Sequence, residues 1–171
     1  MLKCILASLQ KVNILNLLTH NIIFCHIIMT RDVILTAFSC SALAPCQTWA
    51  TQYFKNPPLV LNVPGNGGKT FRAHIMSWAK TGDIFKAAIK QLAPKESVQI
   101  GRRGLVTFSA GWAAADELLK IELERNRLDM YALLDGMHDK NLDHWKLFAT
   151  RAANMEAFMV MTHSSIIPPF V

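Results

Sequence analysis

Charge is scarce in the first 54 residues, where Lys3, Lys11, Arg31 and Asp32 are the only ionised side chains before Lys55. That stretch cannot form an ordinary solvated surface. It holds two uncharged runs, residues 12–30 and 33–54. The first is long enough for a membrane helix, but Asn13, Asn16, His20, Asn21 and His26 make it a poor span. The second begins like the apolar part of a secretory leader and reaches Ala42-Leu43-Ala44, a cleavage-like pattern, although Arg31 is offset by Asp32. An anchor, a leader starting near Met29 and an extension with no role in the domain behind it therefore compete. The polar Asn and His residues favour the last. Membrane contact, if any, is expected through residues 12–54, and the folded domain is expected to be cytoplasmic unless that segment exports or anchors it.

Zinc-ligand spacing is missing too. Cys4, Cys25, Cys40 and Cys46 are the only cysteines, and none forms a C-x-x-C pair with histidines downstream, so no metal site is expected. Cys40 and Cys46 read as buried thiols, or as a disulfide if this part is exported. A clustered basic patch is also lacking. The formal charge is +6, yet the lysines and arginines are spread along the second half without aromatic interleaving, and no nucleic-acid partner is expected. There is no internal repeat and no low-complexity tract.

What is present is enough apolar residue for one packed domain, 51% of 171 residues. From Pro57 onward short apolar runs alternate with charged segments of helical period, which predicts an α/β domain over 57–171 behind an apolar extension over 1–56. Strands are predicted at 59–63, 104–108, 130–134 and 157–162, with a short one at 97–100. Helices are predicted at 70–92, with a break near Thr81-Gly82-Asp83, and at 113–126 and 142–156. Repeated strand-helix-strand units imply a mostly parallel sheet flanked by helices, with the loops after the strands on one edge.

That edge collects the chemistry. In Gly104-Leu105-Val106-Thr107-Phe108-Ser109-Ala110-Gly111-Trp112 a serine stands where a buried strand turns into a helix. Small residues are needed there because the backbone is strained and the helix packs close behind. Ala110 and Gly111 satisfy this, whereas Thr107 replaces the first glycine of G-x-S-x-G. Ser109 is read as a nucleophile with the Ala110 amide aimed at an oxyanion, or as a simple helix cap. Gly65, Asn66, Gly67 and Gly68 form a loop whose amides would supply further oxyanion donors, or a plain turn. The same segment, Val63 to Thr70, differs by one residue from the phosphate loop G-x-x-x-x-G-K-[ST]. In that rival reading Lys69 meets phosphates, Thr70 holds magnesium, and Asp135 is the acid at the end of the apolar strand 130–134 that completes such a site. Trp112, Trp145, Phe148 and Phe158 are read as core, the charges from Glu117 to Arg127 as a solvated helix face, and His138, Asp139, Asp143 and His144 as an incomplete metal set.

Taken together, Phe108-Ser109-Ala110-Gly111-Trp112, Leu133-Leu134-Asp135-Gly136-Met137-His138 and Met161-Thr162-His163-Ser164-Ser165 resemble bacterial α/β-hydrolase-like proteins, over about Leu59 to Val171. The resemblance implies Ser109 as nucleophile and Asp135 as the acid, a position used in some lipases. In that fold the histidine follows the last strand, which this chain is expected to lack. His163 is the expected replacement and His138 the next. An incomplete serine hydrolase acting on a small ester or amide without a cofactor is the leading expectation. A nucleotide-binding protein and a non-catalytic remnant stand beside it.

Overall fold

The computed structural model describes residues 29–38, 55–134 and 143–162. Five strands run in the order β2-β1-β3-β4-β5, and every neighbouring pair is parallel. They are β1 (Met29–Phe38), β2 (Leu59–Asn62), β3 (Val98–Phe108), β4 (Met130–Leu134) and β5 (Phe158–Thr162). The helices are α1 (Gly68–Ala79), α2 (Ile84–Leu92), α3 (Trp112–Lys120), α4 (Glu122–Arg127) and α5 (Asp143–Ala153).

Strand β1 corrects the expected boundary at residue 56. It belongs to the segment read as an extension, yet it lies between β2 and β3 and pairs with both. The physical reason is that the apolar run from Val33 to Phe38, which follows Arg31 and Asp32, suits a central parallel strand as well as it suits a leader. Val33, Leu35 and Ala37 are wholly buried on one face. The other face, with Ile34 and Phe38, is half-buried.

Helices α1, α3 and α5 pack side by side, α3 in the middle. Their layer covers Val33, Leu35, Leu105, Tyr131 and Leu133, which form one core with Phe71, Ile75, Leu118, Trp145 and Phe148. Tyr131 is the centre of an aromatic group, with ring centroids 5.1 Å from Trp145 and 6.2 Å from Phe148. Of the four aromatics expected in the core, Trp145 and Phe148 are buried and Trp112 is half-buried, whereas Phe158 is 59% exposed. Phe158 lies on β5, which has a partner strand on one side only among the described residues.

The predicted helix over 70–92 is two helices. Gly82 takes φ +84° between them, and the Asp83 carboxylate accepts a hydrogen bond from Lys86 N at 3.1 Å, capping α2. The helix predicted over 113–126 is likewise divided, because Ile121 is extended at φ −84°, ψ 106°. The two predicted strand pieces at 97–100 and 104–108 are one, β3. The intervening Gly101, Arg102 and Arg103 belong to it: Arg102 pairs with Asp32 across the ladder at 2.7 Å, and Arg103 reaches Asp83 at 3.0 Å. Arg102 holds the Asp32 carboxyl below its usual range, against a smaller opposing effect of burial.

The direction of the chain reverses at one place in the sheet. From β1 it steps outward to β2, and from β3 it steps the other way, to β4 and then β5. The C-terminal ends of β1 and β3 therefore flank the switch point, where open α/β sheets form their binding crevice. Phe38 and Phe108 are the last paired residues there, and Ser109 follows at once.

Candidate functional site

Ser109 opens a short 3-10 turn, Ser109–Gly111, between β3 and α3. Its φ is +49°, and it is one of only two non-glycine residues with positive φ among the described residues. A serine is held in this left-handed conformation only when its surroundings compel it. Those surroundings are identifiable. The preceding residue, Phe108, is tied into the sheet at β-type angles, φ −135° and ψ 138°, and the chain must start α3 within three residues.

Gly111 is the second constraint. A Cβ added there would lie 2.6 Å from the carbonyl carbon of Ala37 and closer still to its oxygen. The turn is thus pressed onto the backbone of β1, and only glycine permits that approach. This meets the requirement for small residues after the serine. Thr107, which replaces the first glycine of the pattern, is fully buried on the helix-covered face. Its hydroxyl lies 3.1 Å from Tyr131 Oη. Burial pushes the Tyr131 hydroxyl well above its usual range, while the bond to Thr107 opposes this in part. Thr107 is accommodated because a tyrosine on β4 satisfies it.

The glycine loop stands after the strand expected at 59–63. It follows β2, the edge strand, and β1 separates it from β3. Its nearest approach to the turn is Gly68, where a Cβ would lie 3.2 Å from Ala113 Cβ and 3.5 Å from the Ala110 carbonyl oxygen. Gly65 (φ +141°) is bent over Thr70 and Phe71, so that a Cβ there would come 3.0 Å from Thr70 Cβ. Gly65 and Asn66 are exposed and Gly67 is half-buried.

This folding bears on the phosphate-loop reading. Thr70 Oγ1 donates to Gly67 O at 2.8 Å and accepts from Gly67 N at 3.3 Å. The hydroxyl that would hold magnesium is bonded to the backbone of Gly67, the N-cap of α1. Lys69 is exposed at the start of α1.

Asp135, His138 and His163 lie outside the described residues. Asp135 and His163 each follow a strand end in register with the serine's. Phe108 pairs with Leu134, and Leu134 with Thr162, so Ser109, Asp135 and His163 are the residues next in sequence after one row across β3, β4 and β5.

Sequence reading missed a buried ionic group. Asp116 on α3 is fully buried, with Lys120 Nζ at 2.5 Å, His144 Nε2 at 2.8 Å and Arg72 Nη2 at 3.3 Å. It ties α1 and α5 to α3. The His144 contact is close, but its geometry is not that of a formed hydrogen bond. The spacing of Asp116 and Lys120 on one helix face was the available signal. His144 is thus occupied, and no cluster of three or more metal-binding side chains occurs among the described residues. Glu124, expected on a solvated face, is also buried. It accepts from Ile84 N at 3.2 Å, at the start of α2.

The fold and the turn define an α/β protein with a five-stranded parallel sheet and a strained serine at its switch point. Comparisons with protein-family models, with curated proteins and with solved structures find no match. Among the described residues no helix is long and apolar enough to cross a membrane.

Proposed function

We propose that the chain is a serine hydrolase of the α/β-hydrolase type, cleaving a small ester or amide, with Ser109 as its nucleophile. The observation that carries this reading is the left-handed φ of Ser109 at the C-terminal end of β3, with Gly111 packed on β1 behind it. A helix cap needs no such strain, because cap residues ordinarily take extended angles. A nucleophile that must project from the sheet edge does need it.

In the proposed reaction Ser109 Oγ attacks the carbonyl carbon and its proton passes to a histidine, His163 or else His138. Asp135 orients that histidine. The tetrahedral oxyanion collapses, the bond to the leaving oxygen or nitrogen breaks, and the histidine returns the proton to that atom. Water then repeats the sequence on the acyl-serine and releases the acid. The amide of Ala110, at the entry to α3, is the proposed oxyanion donor. The Gly65 to Gly68 loop is a weaker candidate than the sequence suggested, since Gly68 faces the Ala110 carbonyl.

A nucleotide-binding role for Lys69, Thr70 and Asp135 is less well supported, because the Thr70 hydroxyl is bonded back to the Gly67 backbone. The deciding experiment is labelling of the full chain with a fluorophosphonate probe. Labelling that disappears in Ser109→Ala supports the hydrolase. A folded, unlabelled wild-type chain overturns it, and ATP with magnesium then separates the other readings, by raising Tm for a nucleotide binder and leaving it unchanged for a non-catalytic remnant.

A further inference from the structure

Resting on the hydrolase reading, we infer that the site takes an apolar acyl group, and that Phe38 and Phe108 select it.

On its helix-covered side the turn is closely packed at Gly111 and Gly68. Gly111 is pressed onto Ala37, and Gly68 onto Ala110 and Ala113, at distances that exclude even a methyl group or leave it tight. A molecule bonded to Ser109 therefore leaves over the strand ends and onto the opposite face of the sheet. Two rows of side chains meet it there, Phe38–Phe108–Leu134 at the edge and Thr36–Val106–Ala132 behind. None of the six is ionisable. Five are half-buried, and the sixth, Thr36, is buried, with its hydroxyl bonded to Asn62 of β2.

Phe38 and Phe108 dominate this surface. They are direct cross-strand partners, with ring centroids 6.4 Å apart and planes tilted by 42°, and Phe108 immediately precedes the serine. Together the rings form one aromatic wall at the switch point. A charged acyl group laid on it would lose its hydration and find no ionic partner among these six residues. An alkyl chain would gain with each methylene covered.

The test is a series of p-nitrophenyl esters, from acetate to octanoate, with full-length wild type and Phe38→Ala. For wild type, kcat/KM should rise roughly three- to fourfold per methylene over the first few carbons. In Phe38→Ala the octanoate-to-acetate ratio should fall at least about tenfold. This ratio is independent of how much protein is folded, so a structural loss does not imitate the effect. Fluorophosphonate labelling of Ser109 is run in parallel. If Ser109 is labelled but the ratio is flat in wild type or unchanged in Phe38→Ala, the acyl inference is overturned and the hydrolase reading stands. If Ser109 is not labelled, both fall.

Discussion

Replacing Gly111 with alanine tests the packing that holds the serine turn. The added Cβ would sit 2.6 Å from a backbone carbon of β1 and still closer to its oxygen, whereas non-bonded carbons settle at about 3.5–4.0 Å. Something must move by about 1 Å. Overpacking against side chains typically costs about 1–3 kcal/mol because they can swing aside. Here the obstacle is the main chain of β1, paired in register with β2 and β3 on its two sides. The expected loss is therefore at least about 4 kcal/mol, in the range reserved for specific structural damage. That is a large part of the total stability of a domain, about 5–15 kcal/mol. Urea unfolding followed by tryptophan fluorescence is a suitable assay, since Trp78 and Trp145 are buried. With a slope of about 2 kcal/mol per molar urea, the midpoint should drop by about 2 M. Gly104→Ala is the control. Its Cβ would meet the terminal methyl of Met130 at 2.8 Å and Ile34 Cγ1 at 3.2 Å, atoms able to move aside, and about 1–2 kcal/mol is expected. A Gly111→Ala midpoint equal to that of Gly104→Ala would refute the claim that the turn is locked onto β1.

Two further perturbations follow from buried polar groups. Thr107→Val leaves Tyr131 Oη without the partner it has at 3.1 Å and should cost about 1–3 kcal/mol. Thr107→Ser keeps the hydroxyl and should cost about 1 kcal/mol, and equal losses for the two variants would contradict the role given to this bond. Burial raises the Glu124 carboxyl above its usual range, with Asp83 adding to the shift and Ile84 N–H, Arg127 and Arg103 opposing it. A raised folded-state value means that its contribution is present below the ordinary carboxyl range and lost as pH rises through the raised value. Glu124→Gln should therefore gain stability relative to wild type between about pH 4 and about pH 7. Urea midpoints at the two pH values check this, and a difference that is constant or moves toward wild type would count against burial as the cause.

Much of the fold was legible in local pattern. Met130–Leu134 is a strand with the predicted bounds, and the break near Gly82 and the end of α5 within a few residues follow from glycine, capping and periodicity. The division of α3 from α4 was not legible, because Ile121 carries no local breaker. The burial of Glu124 was not legible either, since its partner is the start of α2, 40 residues away. Phe158 and Trp145 look alike in a hydrophobicity pattern. One is on a sheet edge and the other under a helix layer, which pattern alone does not distinguish.

By itself the sequence determined that the chain from Pro57 alternates strand and helix, and that Ser109 stands between a buried strand and a helix with small residues after it. Those are local properties, set by periodicity and by the room a turn needs. Only the tertiary structure decided that Met29–Phe38 is a central strand, because an uncharged apolar run acquires its meaning from what pairs with it. The same long-range pairing puts Ser109 at the switch point beside Phe38 and makes the strand before the glycine loop an edge strand. Strand order is a relation between segments 70 residues apart, and no local pattern encodes it.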